Sequence, residues 1–145
     1  MVKVQSLIRG WLERRKFKAF EYEMTLSMGQ YFKKEELMET INSGGKYDPN
    51  APLIKKEITY KCTGSVYSGE MQGGFRHGMG KMKWQDGACY EGYWNQGFAQ
   101  GKGIFYHKDG DTYDGEWKSN KCNGFGIYVN KVKNATYEGF WKNDL

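Results

Sequence analysis

Histidines, cysteines and carboxylates are the side chains through which this chain could do acid–base, nucleophilic or metal chemistry, and their placement argues against all three. His77 and His107 fall at different phases of a pattern that recurs through the second half of the chain, so they form no shared site. Carboxylates Glu70, Glu91, Asp114, Glu116 and Glu138 recur with that pattern and read as a solvated face. The three cysteines, Cys62, Cys89 and Cys122, are an odd number with no Cys-x-x-Cys pair. They read as free thiols of a reducing compartment rather than as a zinc site. The run Gly73–Gly80 resembles a phosphate loop in glycine content, but it lacks the Gly-Lys-Ser/Thr ending that would grip a phosphate. No catalytic centre, metal or cofactor is expected.

The chemistry that remains is recognition. Residues 1–20 carry six basic groups (Lys3, Arg9, Arg14, Arg15, Lys16, Lys18) against Glu13, which accounts for the whole net charge of +5. The rest of the chain is neutral, which weighs against a nucleic-acid-binding sheet. Val4, Ile8, Trp11 and Arg15 follow helical spacing, so this stretch predicts a basic amphipathic helix suited to an acidic partner or an anionic membrane surface. No apolar run is long enough to span a membrane. The first twenty residues also lack the apolar centre of a signal peptide.

The same stretch resembles an IQ motif: Val4-Gln5, then Arg9-Gly10, Arg14 and Phe17. The resemblance implies a helix gripped by calmodulin or a related EF-hand light chain. In that mode Val4, Ile8 and Trp11 belong to the contact surface. Gln5 bonds the linker between lobes, Gly10 allows close approach, and Arg9 and Arg14 meet acidic side chains.

A different logic organises residues 67–145. Tyr-x-Gly-x-aromatic recurs as Tyr67/Gly69/Met71, Tyr90/Gly92/Trp94, Tyr113/Gly115/Trp117 and Tyr137/Gly139/Trp141, with steps of 23, 23 and 24 residues. Eleven residues after each of the first three tyrosines comes Gly-x-Gly: Gly78/Gly80, Gly101/Gly103 and Gly124/Gly126. Both halves have the period of two that belongs to strands. Gly74, Gly97 and Asn120 mark the turn within a unit; Asp86-Gly87 and Asp109-Gly110 mark the turn between units. Each unit is therefore a β-hairpin with Tyr90, Gly92 and Trp94 on one face and Glu91, Tyr93 and Asn95 on the other. Stacked units would bury aromatic ladders, each ring contributing about 150–250 Å². Counting back one period predicts a lone half unit, with a strand at Ile58-Thr59-Tyr60 and a turn at Thr63-Gly64. The pattern stops at Asn143-Asp144-Leu145, which predicts either an unpaired edge or a longer chain.

These phased residues resemble MORN repeats. The resemblance covers three full units and the start of a fourth. It implies a mainly β fold: an elongated single-layer antiparallel sheet of stacked hairpins with an open groove, which the helical spacing of the first 45 residues sets after one or two α-helices. It also implies a scaffold or binding role, with a cytoskeletal or ciliary protein (cilium, axoneme) in the groove and a cytoplasmic, cytoskeleton-associated location. MORN repeats have also been linked to phosphoinositides. A membrane-associated module and a regulatory piece of a larger enzyme are therefore the rival readings.

Between the two recognisable parts, Lys18–Thr40 continues helical, with Gly29 weakening or breaking it. Met24, Met28, Phe32, Met38 and Ile41 form an apolar stripe, predicted to pack, while Glu35, Glu36 and Glu39 face away. Asn42-Ser43-Gly44-Gly45 stops the helix. The expected layout is a basic IQ-like helix at 1–20, an amphipathic helical segment at 21–45, an extended connector at 46–57 and the repeat sheet at 58–145.

Overall fold

In a computed structural model, residues 2–3 and 28–141 are described. Val4, Gln5, Ile8, Arg9, Gly10, Trp11, Arg14 and Phe17 lie outside them, as do the last four residues. The fold is mainly β: one open antiparallel sheet of eight strands, preceded by a short bent helical segment over 28–42.

The two-residue strand β1 (Val2–Lys3) comes first in the chain, followed by α1 (Lys34–Asn42). The meander then runs β2 (Ile54–Thr59), β3 (Val66–Gln72), β4 (Phe75–Lys83), β5 (Cys89–Asn95), β6 (Phe98–Tyr106), β7 (Thr112–Lys118), β8 (Lys121–Asn130) and β9 (Ala135–Trp141). Each strand from β2 to β9 pairs with its sequence neighbour. β1 adds in parallel on the far side of β9, opposite Tyr137 and Glu138.

The turns follow from residue type. Gly73-Gly74, Gln96-Gly97 and Ser119-Asn120 all have positive φ, which gives two-residue hairpins whose twist matches the strands. Gly87 and Gly110, at φ +96° and +93°, close the turns between units. The four-residue turn at 131–134 accommodates the one-residue lengthening of the period, with Asn134 at positive φ.

Two expectations need correction. β2 starts at Ile54, inside the stretch expected to be connector, because Ile54, Lys56 and Ile58 continue the pairing with β3. The helical segment breaks at Phe32-Lys33 and not at Gly29. Lys33 is extended (φ −96°, ψ 132°), which lets the Phe32 ring turn into the sheet.

Within each unit the tyrosine ring lies across a pair of facing glycines. Gly69 faces Gly80, Gly92 faces Gly103 and Gly115 faces Gly126. A Cβ on Gly103 would overlap the Tyr90 hydroxyl and ring carbons. Tyr90 is fully buried and has nowhere to retreat. Gly103→Ala is therefore expected to cost about 1–3 kcal/mol, the usual penalty for an overfilled core. A fall in the urea midpoint of unfolding checks this; an unchanged midpoint contradicts it.

Candidate functional site

The sheet gathers Tyr67, Tyr90, Tyr113, Tyr137, Trp94, Trp117 and Trp141 on one face, all of them buried. Gly69, Gly92, Gly115 and Gly139 sit in the same strands, each facing a second glycine. The polar ends of these aromatics are committed to the scaffold. The hydroxyls of Tyr67, Tyr90 and Tyr113 donate to the carbonyls of Glu70, Tyr93 and Glu116, each three residues on, at 2.6, 2.9 and 3.0 Å. The indoles of Trp94, Trp117 and Trp141 donate to the carbonyls of Gly80, Gly103 and Gly126, in the unit before, at 3.1, 3.0 and 3.3 Å. Each tyrosine thus bonds within its own strand, and each tryptophan ties its hairpin to the preceding one. Burial pushes the phenols of Tyr67, Tyr90 and Tyr113 well above the ordinary tyrosine range, so none is placed to act as an acid or base near neutrality.

The groove expected to stand open is filled over its centre by the chain itself. Phe32 packs against Trp84, Trp117, Tyr90 and Trp94, with ring centroids 5.2, 5.8, 5.9 and 6.0 Å apart. Tyr31 lies 5.1 Å from both Trp84 and Phe105. Its hydroxyl donates to Asp86 at 2.7 Å, and its carbonyl accepts the Trp84 indole N–H at 2.9 Å. Met28 is buried beside them. Phe32 meets Trp84 and Tyr90 edge-on, and the other contacts are tilted, which suits the negative faces and positive rims of aromatic rings.

The helix that follows departs most from expectation. Glu36, expected in solvent, is buried, while Met38 and Ile41, expected to pack, are half exposed. Arg76 from β4 explains the inversion. Its Nη1 meets Glu36 at 2.9 Å, and its Nη2 donates to the Gly97 carbonyl at 2.7 Å. Its guanidinium lies over Trp94 and Tyr60, 4.6 and 5.1 Å from the ring centroids. The hydroxyls of Thr63 and Ser65 donate to the other Glu36 oxygen. Glu39, one turn on, accepts the backbone N–H groups of Lys61 and Cys62, each at 2.9 Å. These bonds, the Lys61 N–H foremost, hold its carboxyl below the ordinary glutamate range. Two glutamates thus clip α1 to the first turn of the sheet.

The remaining polar candidates are structural. Glu70 and Glu116, expected to be merely solvated, accept the backbone N–H groups of Met79 and Phe125 at 2.8 and 2.7 Å. They satisfy the strand where Gly78 and Gly124 take positive φ. The His77 ring accepts the Gln96 N–H, and the His107 ring accepts the Asp109 N–H in a turn. Cys89 and Cys122 are buried and Cys62 is exposed. Among the described residues no group of three His, Cys, Asp or Glu side chains is placed to hold a metal ion.

Arg76 is the residue that reading the sequence missed. It stands between Phe75 and His77 in an apparently exposed hairpin, and only its position on the aromatic face, two residues after Gly74, marks it as inward-pointing. The MORN repeat family model matches residues 67–89, 90–112, 113–131 and 137–145. No curated protein matches the chain.

Proposed function

Since the chain belongs to the MORN-repeat family, whose repeats are typically protein- or membrane-interaction modules without catalysis of their own, we propose that it is a non-catalytic scaffold. In this reading the sheet holds a protein partner, and the IQ-like helix at 4–17 recruits calmodulin or a related EF-hand light chain. The setting is a cytoskeletal or ciliary assembly in the cytoplasm; that location rests on the resemblance alone.

One observation carries the binding role. The aromatic face receives a peptide segment, residues 28–32, through edge-on and tilted ring contacts, while the polar atoms of Tyr67, Tyr90, Tyr113, Trp94, Trp117 and Trp141 are bonded within the sheet. A surface built in this way binds by shape and apolar area.

The light-chain half is tested by a calmodulin pull-down with and without calcium. Wild type is expected to be retained. Ile8→Glu combined with Arg9→Glu removes an apolar anchor and a charge, so binding should fall roughly thirtyfold or more, as for a hot spot of about 2 kcal/mol. No retention of wild type, or equal retention of the variant, overturns this half. The six basic residues in 1–20 support a membrane-surface reading instead. Flotation with anionic liposomes that depends on those residues and fades with salt would favour it.

A further inference from the structure

The two edges of the sheet differ. At one end β1 lies alongside β9. At the other end β2 pairs with β3 on one side only, and nothing among the described residues pairs with its outer side. A bare edge of six residues is a template for another strand. The apolar residues at its start are exposed as well: Leu53 and Ile54 each show about half of their surface.

The residue order of this edge complements itself. Tyr60 donates its N–H across the first hairpin to the Ser65 carbonyl. Backbone groups alternate sides along a strand, so those of Ile54, Lys56 and Ile58 also face β3. The N–H and C=O groups of Lys55, Glu57 and Thr59 therefore face the open side. Side chains alternate too. Ile54, Lys56 and Ile58 share the face of Met71 and Tyr67, while Lys55 and Glu57 share the opposite face with Glu70 and Ser68.

Consider a second copy laid antiparallel along this edge, with its two-fold axis normal to the sheet at Lys56. Lys55 then stands opposite Glu57 of the other copy, and Glu57 opposite Lys55. Ile54 meets Ile58, and Ile58 meets Ile54. Lys55 and Glu57 are also the residues whose backbone groups point outward, so the bonded pairs and the ion pairs coincide. The one unfavourable opposition is Lys56 against itself. It stands against two pairs of opposite charge.

We propose that β2 is a self-association edge through which two copies of the chain join, in the register Lys55 opposite Glu57, into one continuous sheet. The contact is isologous, so it closes at two copies. Pairing places the two repeat arrays end to end, so that one assembly offers two partner-binding faces pointing the same way.

The test uses the full chain, with mass measured by light scattering across a range of concentrations. Wild type should move from the 16.8 kDa chain mass to twice that value as concentration rises. Lys55→Glu sets like charges opposite each other at two places and should weaken pairing roughly tenfold or more. The exchange Lys55→Glu with Glu57→Lys restores both ion pairs and should return the dimer. Circular dichroism should be unchanged in both variants, because Lys55 and Glu57 are exposed and lie on the face opposite the aromatic one. A wild type that stays monomeric throughout overturns the proposal. So does a Lys55→Glu chain that still dimerises, an exchange variant that does not, or growth beyond two copies.

Discussion

Arg76→Met should lower stability by about 3–5 kcal/mol, because it leaves the Glu36 carboxylate buried without its counter-charge. Both side chains are almost completely enclosed, at 3% and 0% relative exposure. The guanidinium also ties β4 to the turn at Gly97 and covers the Trp94 and Tyr60 rings. For a chain of this size the thermal midpoint should fall by roughly 10 °C. The second half of the expectation is more discriminating. Glu36→Leu combined with Arg76→Met removes both charges, and the Thr63 and Ser65 hydroxyls can still bond each other at 2.7 Å. The double variant should recover most of the loss, since a buried ion pair replaced by apolar groups is often neutral or better. Thermal and urea unfolding of the three proteins decide the matter. A single variant as stable as wild type would mean that the pair is solvated in solution. A double variant no better than the single would mean that the Arg76 bond to Gly97 contributes more than its pairing with Glu36.

Trp117→Ala should be as damaging, at about 3–5 kcal/mol, for a purely apolar reason. The indole packs against Tyr90 at 5.0 Å, Tyr113 at 5.3 Å and Phe32 at 5.8 Å between ring centroids. It also bonds the Gly103 carbonyl, which would be left without that donor. Truncation thus opens a cavity at the junction of two units and the 28–32 segment together. The control is Tyr93→Ala, on the opposite face of the sheet and half exposed, which should change stability by no more than about 0.5 kcal/mol. Unfolding midpoints test the contrast. Comparable losses from the two changes would mean that the aromatic face is not the core.

How far these residues could be read in advance depends on how local their determinants are. The inward direction of Trp117 was legible, because Tyr113, Gly115 and Trp117 alternate on a strand and the same alternation recurs one period away. Its partner Phe32 was not. Phe32 lies in a helical stretch whose 3.6-residue spacing predicts a stripe with Met28 and Met38, yet the chain breaks at Lys33 and the stripe divides. Met28 and Phe32 go to the sheet, and Met38 goes to solvent. Glu36 was misread for the same reason. A glutamate on an exposed-looking helix face is ordinarily solvated, and the partner that reverses this lies 40 residues away in β4.

The candidate groove was likewise half legible. The glycines that let the rings lie flat, and the rings themselves, were visible as a phased series. That the face would be filled over its centre by residues 28–32 was not. Nor was the use of Glu70 and Glu116 as backbone acceptors, although their recurrence in alternate units was a signal. Tyr93 stands at the equivalent position in the unit between them, and there no carboxylate takes the strand N–H.

The amino-acid order by itself determined the repeat, the strands, the turns and the face on which each aromatic lies. Those depend on φ preferences and on a two-residue alternation, and both act over a few neighbouring residues. Tertiary structure alone decided what covers the aromatic face, why a glutamate is buried in place of a methionine, and which sheet edge no described strand pairs with. Those outcomes depend on groups far apart in the chain meeting across a few ångströms, and on a carboxylate whose burial is tolerable only where Arg76, Thr63 and Ser65 converge on it.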